Sequence, residues 1–391
     1  NIHEKAKLAF EEKGYQVQTF DRSLNEEELC EQVKDIHILG IRSKTKISQK
    51  VISSANSLLG IGTFCIGTDQ VDKSFALENG LPVFNAPFSN TRSVVELAIG
   101  EMILLSRSVV EKSNQLHKGM WNKSSKDCNE IRGKKLGIIG YGNIGSQLSV
   151  LAENLGMEVY YYDISEKLPM GNAKKSYSIS SLVKKCDIIT VHIDGRESNK
   201  HIIDEDVFNE MKDGAIFLNL SRGKVVDLKA LSENLKSGKL FGAAVDVYPE
   251  EPRKNGEDFV NELQTIPNVI LTPHIGGSTE EAQERIAEFV PSRLIEFINT
   301  GATEGSVNFP NIQMPAVENA HRLIHIHKNV PGILSKINTI LAEHNINIIS
   351  QFQKGDNSVA YVITAINKDY DKDVVEALKN IEETIKIRVL Y

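Results

Sequence analysis

The stretch "GIIGYGNIG" (137–145) constrains this chain more than any other. It follows an apolar run, "KLGIIG" (135–140), and opens a helix-forming segment. Gly140 permits a tight turn, Gly142 lets backbone approach a pyrophosphate, and Gly145 lets helix and strand pack closely. Asn143 and Ile144 begin the helix, whose N-terminal N–H groups then face the phosphates. By itself G-x-G-x-x-G also describes an ordinary turn. Here Asp163 follows Gly145 by 18 residues, at the end of the next strand candidate, "EVYYYD". A carboxylate there accepts from both adenosine-ribose hydroxyls and repels a 2′-phosphate, so the expected cofactor is NAD.

The fingerprint lies a third of the way along 391 residues, too many for one ordinary core, so two or three domains are expected. Residues 1–88 alternate helix and strand: a helix in "NIHEKAKLAFEEKG", then strands in "YQVQTF" (15–20), "IHILGI" (36–41), "LLGIGTF" (58–64) and "LPVFNAP" (81–87). An α/β domain usually opens on a strand, so residues upstream of Asn1 are expected to be missing or disordered. One long helix is predicted over 90–119, with Asn90 or Thr91 as N-cap and Gly119 as stop. Its segment 94–110 is apolar nearly all round but carries Glu96, Glu101 and Arg107. That is too polar to span a bilayer and reads as a buried helix, with an oligomer interface as one source of cover.

Six strands follow, at 135–140, 158–163, 187–193, 215–221, 242–248 and 269–275, with helical connections. They predict a doubly wound parallel sheet. A helix over 278–301 has Ser278 as N-cap, with Pro291 kinking or dividing it. Residues 302–315 read as a linker, and 321–391 as βαββαβ, the ferredoxin-like split βαβ.

The net charge of −7 is opposite in sign to that of a general nucleic-acid or acidic-membrane binder, and neither partner is expected. Cys30, Cys65, Cys128 and Cys186 form no C-x-x-C pair and no metal-ligand spacing. A cytoplasmic setting without a metal follows as an expectation.

Three successive strand ends carry the candidate chemistry: Arg222 in "NLSRGKVVD", Glu250 and Glu251 in "DVYPEEP", and His274 in "LTPHIGG". Ligands of such sheets sit at the carboxyl ends of the strands. A guanidinium holds a carboxylate bidentately and polarises a carbonyl. An imidazole exchanges a proton with a hydroxyl near neutrality. Alone, the arginine would read as a surface ion pair and the histidine as a satisfied, half-buried residue. Their order on adjoining strand ends is harder to dismiss.

These residues, with "FCIGTDQVD", "FNAPFSNTRSVVELAIGE", "SRGKVVD", "TPHIGGST" and "HIHKNVPG", carry a resemblance over essentially the whole chain. The chain resembles the D-isomer-specific 2-hydroxyacid dehydrogenases, most of all those with a C-terminal ACT domain. The resemblance implies a discontinuous flavodoxin-like substrate domain (1–89 and 277–318), an inserted Rossmann NAD domain (90–276) and a ferredoxin-like ACT regulatory domain (319–391). The fingerprint then comes late because half of another domain precedes it, and the active site lies in the cleft between the two. It implies Arg222 on the substrate carboxylate and carbonyl, His274 as acid/base, Glu251 as its partner, and Asp246 on the nicotinamide carboxamide.

The implied reaction is NAD-dependent oxidation of 3-phospho-D-glycerate to 3-phosphohydroxypyruvate, the first committed step of L-serine synthesis. Arg42, Ser43 and Lys44, with Asn90 and Gln283, would face the phosphate; Lys44 stands where the family more often has arginine. Asp194 replaces a usual proline at a position near the adenine. In the ACT domain, His327 and Asn329, with Asn347 of a second copy, would bind L-serine, and Val330 replaces an expected arginine. His325 and His327 alternate on one strand face, but no further metal ligand is evident. Trp121 would pack at a hinge or plug a neighbouring subunit, and a homotetramer is expected. Two other readings are a broader 2-oxoacid reductase acting on 2-oxoglutarate and a non-catalytic nucleotide-sensing protein.

Overall fold

A computed structural model describes residues 2–252, 256–315, 317–356, 358–367 and 373–391. It divides into two compact units, Asn1–Ser89 with Gln283–Tyr391, and Asn90–Ala282. The first begins with α1 (Glu4–Glu11) and α2 (Glu26–Gln32), the latter started by a reciprocal capping box between Asn25 and Glu28. Then come β1 (Ile38–Ile41), α3 (Gln49–Ser53), β2 (Gly60–Thr63), α4 (Lys73–Glu78) and β3 (Val83–Phe84). The three strands form one parallel sheet in chain order. The strand expected at 15–20 does not form. Tyr15 and Val17 pack half-buried against the core around Phe10, but Gln16, Gln18, Thr19 and Phe20 are exposed and no described strand pairs with the segment.

The second unit opens with α5 (Thr91–Ser106) and α6 (Val109–His117). The single helix expected over 90–119 is thus two, broken where Ser108 takes φ 48°. The break follows burial: nine residues of α5 are buried and none of α6. Next in order are β4 (Lys135–Ile139), α7 (Asn143–Asn154), β5 (Glu158–Tyr162), β6 (Lys174–Lys175), α8 (Ile179–Val183), β7 (Ile188–Val191), α9 (Glu205–Glu210), β8 (Ala215–Asn219), α10 (Leu228–Lys236), β9 (Leu240–Val245) and β10 (Val269–Leu271). Among the described residues the sheet has seven strands rather than six, in the order β10-β9-β8-β7-β4-β5-β6, all parallel. Sequence reading missed β6, a two-residue edge strand of exposed lysines.

Alternation along the strands explains why both faces are covered. Ile189, Phe217 and Val245 point into one core with Leu182, Phe208 and Leu231. Ile188, Leu218 and Ala244 point into another with Val95 and Met102 of α5 and Leu148 of α7. Strand order reverses between β4 and β7, and the crevice at that switch point is where such sheets bind ligands.

The chain returns to the first unit through α11 (Glu280–Thr300), which runs through Pro291 as one element. The Thr279 hydroxyl, not that of Ser278, accepts from the Ala282 N–H and caps it. The segment expected as a linker is packed instead: Phe309, Ile312 and Met314 are buried, and the Thr303 N–H donates to the Ile312 carbonyl at 2.9 Å. Its apolar residues supply a face that composition alone conceals.

The C-terminal portion follows as β11 (Ala320–Lys328), α12 (Ile333–Glu343), β12 (Ile348–Gly355), β13 (Val359–Asn367), α13 (Asp373–Lys379) and β14 (Thr384–Leu390). This is the expected βαββαβ order in an antiparallel sheet β12-β13-β11-β14. Residues 371 and 372, at the start of the second helix that pattern predicts, lie outside the described residues. One sheet face covers α12 and α13 through Leu323, Val362 and Ile366. The other, through Ile324, Ile326, Tyr361 and Ile363, shares a core with Leu294 and Phe297 of α11. Arg388 and Arg322 donate to the carbonyls of Ile298 (3.1 Å) and Thr300 (2.9 Å), closing the C-terminal turn of α11 with positive charge.

Candidate active site

The fingerprint forms the turn its glycines predict. Gly140 takes φ +93°, and a Cβ there would strike the carbonyl oxygen of His192. A Cβ on Gly145 would strike the Gly140 carbonyl. Around Gly142 the same test meets nothing within 4 Å, so this backbone borders open space at the N-terminus of α7. Asn143 is exposed beside it and Ile144 half-buried. Asp163 ties the loop to the end of β5: one carboxylate oxygen accepts from the Tyr141 N–H and the other from the Ser165 N–H, both at 2.8 Å. The open cradle, the helix N-terminus and the half-buried carboxylate fit a dinucleotide.

Arg222 follows β8 on a turn that Asn219 builds. The buried Asn219 amide accepts from the Ser221 N–H (3.1 Å) and hydroxyl (2.9 Å) and donates to the Arg222 carbonyl (3.1 Å). Arg222 itself donates to the Ser221 carbonyl at 2.8 Å. A Cβ on Gly223 would overlap the backbone of Tyr248 and Pro249, so only glycine lets the loops after β8 and β9 approach this closely. Sequence reading missed both Asn219 and Gly223. A polar residue at the end of an apolar strand, next to a glycine after the arginine, was the signal available.

His274 and Glu251 meet directly. The imidazole Nδ1 lies 3.0 and 2.9 Å from the two Glu251 carboxylate oxygens. The carboxylate fixes Nδ1 as the donor and leaves Nε2 outside the pair. Burial raises the Glu251 carboxyl, but the hydrogen bond and charge of His274, the Tyr248 N–H and the charge of Arg222 outweigh it and hold the group below its usual range. Glu250 takes no part in this pair.

His274 stands at φ 55°, a left-handed conformation that costs a non-glycine residue about 1–3 kcal/mol. Asp246 holds that loop. Its carboxylate, 1% exposed, accepts from the Thr272 hydroxyl (2.7 Å) and from the N–H groups of Ile275 (2.7 Å) and Gly276 (2.8 Å). Asp194 sits beside Arg222: the Arg222 charge helps hold its carboxyl low, after the hydrogen bond from Arg196, and a Cβ on Gly195 would lie 3.1 Å from the Arg222 stem.

The family description "D-isomer specific 2-hydroxyacid dehydrogenase, NAD binding domain" matches residues 99–276, and "AHAS small subunit-like ACT domain" matches 323–387. D-3-phosphoglycerate dehydrogenase of Dictyostelium discoideum is 50% identical over 100% of this chain and 96% of its own. That of Haemophilus influenzae is 47% identical over 100% and 95%. The chain belongs to the D-3-phosphoglycerate dehydrogenase family. A solved NAD-dependent formate dehydrogenase from Staphylococcus aureus, in complex with NAD, superposes with TM-score 0.66 at 30% identity, over 75% of this chain and 88% of that one. This member of the D-3-phosphoglycerate dehydrogenases is accordingly an NAD-dependent oxidoreductase with a C-terminal ACT domain.

Its remaining candidate residues are spread over both units. Arg42, half-buried, and Ser43 and Lys44, exposed, form the loop after β1; Gln283 lies on the first turn of α11. Asn90 is the N-terminal residue before α5, in the other unit, and its Oδ1 is buried without a partner among the described residues. In the ACT domain, His327 donates from Nδ1 to the Lys328 carbonyl at 2.7 Å and is 1% exposed. Asn329 donates to the Asp356 carbonyl and is exposed, as is Asn347 beside the edge strand β12. Val330 is 41% exposed and Trp121 79% exposed. Among the described residues no group of three metal-ligating side chains forms, and no helix is long and apolar enough to cross a membrane.

Asp163→Asn is expected to narrow the preference for NADH over NADPH by about 10- to 100-fold in kcat/KM, the equivalent of one charged hydrogen bond. Parallel titrations with the two cofactors read this out. An unchanged ratio would remove Asp163 from cofactor selection.

Proposed function

We propose that this enzyme oxidises 3-phospho-D-glycerate to 3-phosphohydroxypyruvate in the cytoplasm, as the first committed step of L-serine biosynthesis. The observation that carries the reading is the His274–Glu251 pair, with Arg222 close enough for its charge to act on Glu251. Neutral His274 accepts the C2 hydroxyl proton at Nε2 as the C2–H bond breaks. Glu251 stabilises the imidazolium that results, and Arg222 holds the carboxylate and the developing carbonyl oxygen. Bound NAD supplies the hydride acceptor, with the fingerprint loop, Asp163 and Asp246 as its contacts. In reverse His274 donates the proton, so reduction favours lower pH.

Arg42, Ser43, Lys44, Asn90 and Gln283 take the phosphate. The domain limits 1–89 with 277–318, 90–276 and 319–391 follow this division of labour. The ACT domain responds to L-serine through His327, Asn329 and Asn347, and the chain assembles as a homotetramer. The whole-chain likeness to D-3-phosphoglycerate dehydrogenases and the ACT match support this assignment.

The test is NADH oxidation with 3-phosphohydroxypyruvate, with and without L-serine, beside the same assay with 2-oxoglutarate. Fast turnover of the phosphorylated substrate, suppressed by L-serine, is the expected result. Indifference to serine would move the ACT domain to assembly; activity confined to 2-oxoglutarate would overturn the substrate. Arg42→Ala is expected to raise KM for the phosphorylated substrate by about 10- to 100-fold, the loss of one charge-assisted bond.

A further inference from the structure

Helix α5 presents one buried stripe, Val94, Ala98, Glu101 and Leu105, at helical spacing. Glu101 does not belong there by composition. It is 2% exposed, and neither carboxyl oxygen has a hydrogen-bond partner among the described residues. The charged group acting on it is Asp246, at the end of β9. Asp246 is the residue whose three accepted hydrogen bonds hold the 272–276 loop, and with it His274. Val94, on the same stripe, lies 3.6 Å from where a Cβ on Gly276 would sit.

Two carboxyls in one dry site do not both ionise. Three donors converge on Asp246, and none on Glu101, so the proton resides on Glu101. Burial first, then the Asp246 charge, pushes the Glu101 carboxyl up to about 8. The other titratable groups here are Tyr248, which donates to the carbonyls of Val245 and Thr272 and whose phenol burial raises, and His274 beyond Asp246. The remaining elements against α5 face this core with Leu148, Ala152, Ile216, Leu218, Ala244 and Ile270, all apolar, and α6 has no buried residue.

We propose that Glu101 is a positioning residue of the reaction, a buried neutral acid that leaves Asp246 as the anion that accepts the three hydrogen bonds of the His274 loop. Its ionisation places a second negative charge against Asp246, loosens the three-donor cradle and moves His274 out of register. This rests on His274 being the acid/base.

The experiment compares wild type with Glu101→Gln and Glu101→Leu, which cannot ionise, in the oxidation direction. In that direction His274 accepts the proton. Wild-type kcat is expected to fall about tenfold per pH unit above pH 8. Both variants should hold their plateau to higher pH. Thermal midpoints supply a readout independent of turnover. A carboxyl raised in the folded state favours folding at low pH, and that contribution is lost as pH rises from about 4.5 to about 8. The midpoint of each variant relative to wild type should therefore climb over that range. Coincident alkaline limbs would overturn the positioning role, even with the midpoint difference present. A flat midpoint difference would overturn the buried proton. Full activity of His274→Ala would instead sink the acid/base assignment, which the midpoint series does not depend on.

Discussion

His274→Ala is expected to lower kcat by about 10²- to 10⁴-fold, the range for loss of a positioned general acid–base. The affinity for NADH, read by fluorescence titration, should stay within about twofold, because the variant leaves the fingerprint loop and Asp163 untouched. The separation matters because the residue also carries backbone strain. At φ 55° the loop is held by Asp246, not by the imidazole, so the alanine variant keeps the three hydrogen bonds from residues 272–276. Glu251 then loses the hydrogen bond and charge that lower its carboxyl, while burial continues to raise it. Its titration should move upward in the variant. Near-wild-type turnover would remove His274 from the chemistry.

Arg222→Ala is expected to lower kcat/KM by about 30- to several-thousand-fold, from the roughly 2–5 kcal/mol lost when one partner of a desolvated charge pair is truncated. Arg222→Lys should recover only part, since it keeps the charge and loses the planar fork. The Asn219 network bonds to the backbone of the turn and to Ser221, not to the guanidinium, so both variants should fold. Steady-state kinetics in the reductive direction, with NADH saturating, reads the effect. Equal loss in the lysine and alanine variants would assign the work to fork geometry alone. No loss in either would take Arg222 out of substrate binding.

The candidate positions were legible as candidates because each sits where a local rule points. The fingerprint glycines, Asp163, Arg222 and His274 all fall just after apolar strand candidates, and strand ends are readable from the period of buried residues. The C-terminal βαββαβ order was readable for the same reason, since its alternations are regular and its turns polar. Local rules failed where burial came from outside the segment. Nothing within 15–20 shows that no neighbouring strand pairs with it, and nothing within 302–315 shows that Phe309, Ile312 and Met314 have a core to enter. The division of the 90–119 helix depends on where cover ends, and cover is a property of the packed molecule.

The sequence by itself determined the cofactor cradle, the βαββαβ order of the C-terminal portion and the residue types at the strand ends, because these depend on spacing along one chain. The strand-end pattern left two adjacent carboxylates, Glu250 and Glu251; the resemblance pointed to Glu251, and the tertiary structure places that carboxylate against His274. It alone showed that Asp246 holds the His274 loop, that Asn219 and Gly223 shape the Arg222 turn, and that Glu101 is buried with no hydrogen-bond partner among the described residues. Those facts depend on distances between residues far apart in the chain, and on how much water each carboxyl retains. A carboxyl's protonation and direction follow from both, and neither is written in its neighbours along the chain.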